Sequence, residues 1–112
     1  RVRSVPAQQR PYPPLAEVVK HQTVFDLKDV EGTLVILRCP PLAGKINLPG
    51  YHMHFLTKDR KAGGHVLAVQ VGEARAKVQP LDRLELVLPQ QGDFQKMDFG
   101  RDRSAEAGAA ER

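Results

Sequence analysis

A hairpin pattern in the middle of the chain constrains the fold more than any other feature. Residues 51–55 alternate in character as a strand should, and residues 66–71 form a second β-rich segment. The polar stretch 58–61 between them has the length and composition of a four-residue turn. Two segments joined by so short a connection are expected to pair as antiparallel neighbours. The sequence therefore predicts a fold built on an antiparallel sheet.

Three of the four histidines of the chain fall in this hairpin, at positions 52, 54 and 65. Residues i and i+2 of a strand point to the same face, so His52 and His54 are neighbours. If the turn is centred between Asp59 and Arg60, the indices of paired residues sum to 119, which sets His65 opposite His54. All three imidazole rings are then predicted to converge on one face of the sheet.

Converging neutral imidazoles are typical ligands of zinc and related transition metals. Three histidines leave coordination positions open, as in a catalytic site, whereas structural zinc sites are usually closed by four ligands. The residues alone leave a second interpretation open, in which these histidines are solvated or belong to the core. His21 stands apart near a helix end, and we expect it to be an ordinary side chain rather than a ligand.

The remaining periodicities complete a mixed fold. Leu15, Val18 and Val19 recur at helical spacing after two prolines, which predicts a short helix over residues 14–21. The apolar run Thr33–Leu37 predicts a buried strand. We therefore expect an α+β fold with a mainly antiparallel sheet of about five strands, one short helix and a tail helix with Ser104 as its N-cap. The predicted strands are 33–37, 51–55, 66–71, 74–78 and 84–88.

Composition shifts divide the chain into three expected parts. Residues 6–14 hold four prolines, so residues 1–14 are predicted to be an extended connector from an upstream domain. Residues 15–89 are predicted to form a metal-binding β domain. Residues 90–112 are expected to form a C-terminal tail that returns to the active site. Because the chain does not begin with Met, we expect it to be part of a longer or processed protein.

Bulk properties exclude several classes of protein. The 112 residues contain no run of 18 apolar residues and no signal-peptide pattern, so we expect no membrane partner. The net charge of +4 comes from basic residues interleaved with acidic ones, and aromatic residues are only 5%, which argues against nucleic-acid binding. A single cysteine, Cys39, is typical of a reducing cytoplasm, where we expect the protein to reside.

Several segments together resemble the alpha-acetolactate decarboxylase family, specifically its C-terminal half. The central signature combines an H-x-H motif with a D-R-x-x-G-G-H motif, and further similarity extends upstream over nearly the whole chain. The segments that carry the resemblance are residues 2–8, 11–15, 30–35, 47–56 and 59–67.

The resemblance implies roles for individual residues. His52, His54 and His65 match the three histidines that bind zinc in the family, although another divalent transition metal is also compatible with them. Arg3 matches an arginine of the family's active site. A glutamate near the C-terminus is expected to act with it, and this is Glu111, with Glu106 as the alternative.

The resemblance also implies a reaction and an assembly. Family members are zinc-dependent lyases that convert 2-acetolactate, a 2-hydroxy-3-keto acid, into acetoin and carbon dioxide, in the pathway towards butanediol. They are two-domain α/β enzymes, commonly homodimers, with the metal between the domains. The competing interpretation of this chain is an inactive fragment or a non-catalytic metal-binding β module, because a second family glutamate belongs to an upstream segment.

Overall fold

The computed structural model describes residues 1–110 and contains one five-stranded antiparallel sheet. The predicted α+β class with about five strands is therefore confirmed, together with two short helices. The elements are β1 (Val2–Ser4), α1 (Leu15–Val18), β2 (Thr23–Phe25), β3 (Gly32–Cys39), β4 (Gly50–Thr57), β5 (Gly63–Val66) and α2 (Ser104–Ala110). The strand order is β2-β1-β5-β4-β3, so the central positions belong to β1, β5 and β4.

The long hairpin of β3 and β4 forms one side of the sheet. Eight residue pairs run from Gly32 opposite Thr57 to Cys39 opposite Gly50. The prediction that the strand around residues 33–37 is buried was wrong. Val35 is 58% exposed and Leu37 is 51% exposed. The apolar, β-branched run does form a strand, as predicted, but β3 is an edge strand of the sheet.

The helix predicted over residues 14–21 is confirmed with small shifts. Pro14 is the N-cap, α1 follows, and a 3-10 helix over Val19–His21 completes the segment. Pro14 fits at this boundary because its fixed φ, here −54°, suits the entry to a helix. Of the predicted apolar face, Val18 is buried, whereas Leu15 is 55% exposed.

Three of the predicted strands were wrong. The strand predicted at 66–71 ends at Val66, and β5 instead begins at Gly63. The segments 74–78 and 84–88 are not strands in the described structure. Val2–Ser4 and Thr23–Phe25 supply the remaining strands, and each has only three residues. Strands this short carry no detectable period-2 signal, and they form here because β1 pairs with both β2 and β5.

The chain divides into two compact units. One comprises residues 1–69 with the described part of the segment from Arg103 onward, and it contains the sheet and both α-helices. The other comprises residues 70–102, in which Gly92–Lys96 form a 3-10 helix and the rings of Phe94 and Phe99 pack 4.9 Å apart. The predicted tail helix is confirmed as α2, but Ser104 is its first helical residue and Arg103 precedes it, so the predicted N-cap was wrong by one residue. Within residues 1–110, no helix is long and apolar enough to cross a membrane.

Candidate metal centre

The turn between β4 and β5 sets the register of the whole site. The backbone N–H of Thr57 donates to the carbonyl of Ala62 at 2.8 Å, which closes a four-residue turn over residues 58–61 as predicted. Arg60 adopts the left-handed conformation with φ of 60°. His54 consequently pairs with His65, which confirms the register predicted from the index sum.

One row of side chains crosses four strands at this level of the sheet. Arg3 in β1 pairs with His65 in β5, His65 pairs with His54 in β4, and His54 pairs with Val35 in β3. Directly paired residues of antiparallel strands share a face. His52 lies two residues before His54 and so joins the same face. The sheet therefore aligns a cation, a histidine cluster and an apolar side chain along one face.

The three imidazole rings converge closely. Ring centroids are 4.9 Å apart for His52 and His54, 5.0 Å for His52 and His65, and 5.3 Å for His54 and His65. The Nε2 atoms of His52 and His54 are 3.0 Å apart. One nitrogen from each ring lies within 4.8 Å of the other two. The predicted convergence of the three histidines is thus confirmed.

This cluster fits a single transition-metal ion. Zinc–nitrogen distances of about 2.0–2.1 Å allow two ligand nitrogens to lie up to about 4.2 Å apart. The nitrogens here span at most 4.8 Å, so small rotations of the rings bring all three within reach of one ion. His52 and His65 are half-buried while His54 is exposed. Three imidazoles are a donor set that suits a divalent transition metal.

Arg3 is the buried charge beside this cluster. Its side chain is only 7% exposed. Nη1 donates to Oε1 of Gln22 at 3.0 Å, and Nη2 donates to the carbonyl of Ala110 at the end of α2. Arg3 and His65 also line a cleft of about 260 Å³, whose other walls include Leu15 and Ala110. Arg3 therefore connects the histidine row to the tail helix.

The remaining candidate residues have different locations. Glu106 lies exposed in the first turn of α2. Glu111, the preferred candidate for the tail glutamate, lies outside the described residues. His21 ends the 3-10 helix after α1, and among residues 1–110 the group of potential ligands consists of the other three histidines.

Two site-forming residues were not predicted from the sequence. Gln22 contacts Arg3 only because the end of the α1 segment lies beside β1, and an isolated glutamine carries no sequence signal for that. Thr57 had a detectable signal, since a threonine two residues before an aspartate is typical of a side-chain-stabilised turn.

Thr57 provides a testable prediction about the turn. Its hydroxyl lies 2.6 Å from the Asp59 carboxylate, and this hydrogen bond, with the one from the Lys61 N–H, lowers the pKa of Asp59. Thr57→Val should therefore raise the pKa of Asp59, measured by carboxyl ¹³C shifts across a pH titration. A lowered folded-state pKa stabilises the turn above the unfolded pKa, and this contribution is lost as pH falls through the folded value.

The matched control for this titration is Thr23→Val in β2, which makes the same chemical change away from the turn. It should leave the Asp59 titration unchanged. An unaltered Asp59 pKa in Thr57→Val would contradict the assigned hydrogen bond.

Comparisons with known proteins agree on one family. A family profile described as alpha-acetolactate decarboxylase matches residues 1–101. The alpha-acetolactate decarboxylase of Brevibacillus brevis is 42% identical over 99 residues, which covers 88% of this chain and 35% of that protein. The enzyme of the same name from Methanosarcina mazei is 42% identical over 101 residues, covering 90% of this chain and 35% of its own length.

A solved structure supports the same relationship at the level of the fold. The crystal structure of acetolactate decarboxylase from Bacillus subtilis subspecies spizizenii superposes with a TM-score of 0.75 at 28% identity. The match covers 99% of this chain and 48% of that one. This chain thus spans about a third to a half of the length of these relatives.

Proposed function

This chain belongs to the alpha-acetolactate decarboxylase family, and on that premise we propose that it serves the decarboxylation of 2-acetolactate to acetoin and carbon dioxide. The observation that supports this most strongly is the row formed by Arg3, His65 and His54, with His52 on the same face. It sets a metal-ligand cluster beside a buried cation, which suits a substrate that carries both a carboxylate and chelating oxygens. The product follows from loss of carbon dioxide and addition of one proton to the carbon that lost it.

We assign metal binding to His52, His54 and His65, with zinc as the preferred ion. Neutral imidazoles bind a divalent ion without cancelling its charge. When bound, the ion acts as a Lewis acid that stabilises the negative charge developing on the substrate as carbon dioxide leaves. The histidines need only hold their nitrogens towards one point, and the short turn between β4 and β5 fixes the two strands that carry them.

Arg3 is proposed to bind the substrate carboxylate. Arg3 pairs with His65 in the row and lines the same cleft, so a carboxylate held there would be close to the histidine cluster. A charged hydrogen bond of this kind is stronger than a neutral one and fixes orientation as well. Burial strengthens the interaction further because water screens it less.

The tail is proposed to complete the site. Ala110 is almost fully buried and accepts a hydrogen bond from Arg3, which supports a tail that returns to the active site. Glu111 remains our proposed second catalytic residue, acting in proton transfer, with Glu106 as the alternative.

The proposed division of the chain is a connector (1–14), a β domain (15–89) and a tail (90–112). A cytoplasmic homodimer of the full-length enzyme also remains a proposal.

The test is a paired measurement on the purified protein: bound metal by elemental analysis, and acetoin formed from 2-acetolactate. We expect about one ion per chain and acetoin production that stops when a chelator removes the ion. Metal without acetoin would favour the alternative, a non-catalytic metal-binding module or inactive fragment. The absence of both bound metal and acetoin would contradict the proposal.

A further inference from the structure

The buried guanidinium of Arg3 contacts two acceptors, and both are uncharged within the described part of the chain. One is the side-chain amide oxygen of Gln22, and the other is the backbone carbonyl of Ala110. Among residues 1–110, the buried Nε atom of Arg3 has no hydrogen-bond partner. A buried cation normally has a carboxylate partner, because an uncompensated charge is costly to remove from water. Within the described residues, Arg3 instead has two neutral acceptors, no carboxylate partner and a spare donor at Nε.

We propose that Gln22 is a positioning residue for anion binding: it holds the Arg3 guanidinium in place through a neutral hydrogen bond and leaves its charge for a carboxylate ligand. The proposal rests on the proposed function, since that carboxylate is assigned to the substrate. It adds a residue that neither the sequence motifs nor the metal cluster pointed to. Gln22 acts through Arg3 and is not itself a catalytic residue.

The local backbone gives Gln22 a fixed position from which to hold the Arg3 guanidinium. It follows the 3-10 helix Val19–His21 as its C-cap, and its N–H donates to the carbonyl of Val19 at 3.2 Å. The next residues, Thr23 and Val24, pair with Ser4 and Arg3 in β1. The backbone of Gln22 is therefore held by structure on both sides, and the pairing of β1 with β2 sets its distance from Arg3.

The uncharged amide matters as much as the position. A glutamate of almost the same shape would accept the same hydrogen bond and hold Arg3 at least as firmly. It would also place a negative charge next to the guanidinium and compete with an incoming carboxylate. A purely structural role for Gln22 predicts that Gln22→Glu is harmless or stabilising. An anion-positioning role predicts that the same variant loses affinity for anions.

The experiment compares an anionic and a neutral probe in the metal-loaded protein by calorimetric titration. The anionic probe is 2-hydroxyisobutyrate, which carries a hydroxyl beside a carboxylate and lacks the ketone needed for decarboxylation. The neutral probe is acetoin. We expect Gln22→Glu to weaken 2-hydroxyisobutyrate binding by about tenfold or more while acetoin binding changes by less than about twofold. Gln22→Ala should show the same selectivity with a smaller loss, because Arg3 keeps its charge but loses its restraint.

The matched control is Gln9→Glu, which adds the same charge at an exposed position in the segment between β1 and α1. It should leave both affinities unchanged. Thermal unfolding and metal content of each variant identify general damage to the fold. The proposal is overturned if Gln22→Glu binds the anionic probe as tightly as the parent, if both probes weaken equally, or if the parent does not bind the anion at all. The proposed function fails separately, if the parent protein binds both probes but forms no acetoin from 2-acetolactate.

Discussion

Replacement of His54 by alanine is expected to abolish tight metal binding and, with it, acetoin formation. The ring of His54 lies close to both others, with its Nε2 3.0 Å from that of His52 and its centroid 5.3 Å from that of His65. Its removal leaves two of the three proposed histidine ligands, which should hold an ion much more weakly. We expect metal affinity to fall by more than about 100-fold, since loss of even an outer-shell partner of a ligand costs 10–100-fold.

The fold itself should survive this substitution. The His54 side chain is exposed, so alanine creates no cavity and β4 keeps its backbone pairing on both sides. The matched control is His21→Ala, which removes a histidine outside the cluster. That variant should retain metal and activity. If His54→Ala keeps both bound metal and acetoin production, the assignment of the metal ligands is wrong.

The convergence of the histidines was predictable because it depends only on local rules. Side chains in a strand alternate with period two, and a four-residue turn fixes which residues are opposite each other. Knowing the centre of the turn, at Asp59 and Arg60, was enough to pair His54 with His65. This pairing depends on the hairpin alone, so the wrong strand predictions at 66–71, 74–78 and 84–88 did not affect it.

The errors occurred where strand formation depends on distant partners. Leu84, Leu86 and Leu88 alternate as a strand would, yet residues 84–88 have no strand in the described structure. Alternating apolar and polar side chains indicate that a segment would fit a sheet, but a strand also needs a neighbour with which to form backbone hydrogen bonds. Conversely, Val2–Ser4 has too few residues to show a pattern and becomes a central strand because both neighbours pair with it.

The role of Arg3 was implied only by the family resemblance. As an isolated residue near one end of the sequence, it reads as an ordinary surface charge, whereas the structure buries it beside His65. Neither the sequence pattern nor the family resemblance pointed to Gln22, because its significance arises from one contact between the end of a helix and a strand. Local geometry was therefore predictable, while the environment of the charge was not.

Substitution of Gly64 by alanine should strongly destabilise the scaffold. A Cβ atom at this position would lie 2.3 Å from the carbonyl oxygen of Arg3, and the backbone φ of 153° is unfavourable for any residue with a side chain. Relief requires β1 and β5 to separate, and these strands carry Arg3 and His65. Overpacking and backbone strain together should cost about 3 kcal/mol of unfolding free energy.

Urea unfolding monitored by circular dichroism measures this cost, and bound metal measured on the same samples shows whether the site is lost with it. The control is Gly72→Ala, since a Cβ atom there meets no other atom within 4 Å. We expect Gly64→Ala to lower the urea midpoint strongly and to weaken metal binding, because displacing β5 moves His65 away from His54. Equal midpoints for the two variants would mean that the close approach of β1 and β5 does not hold the site together.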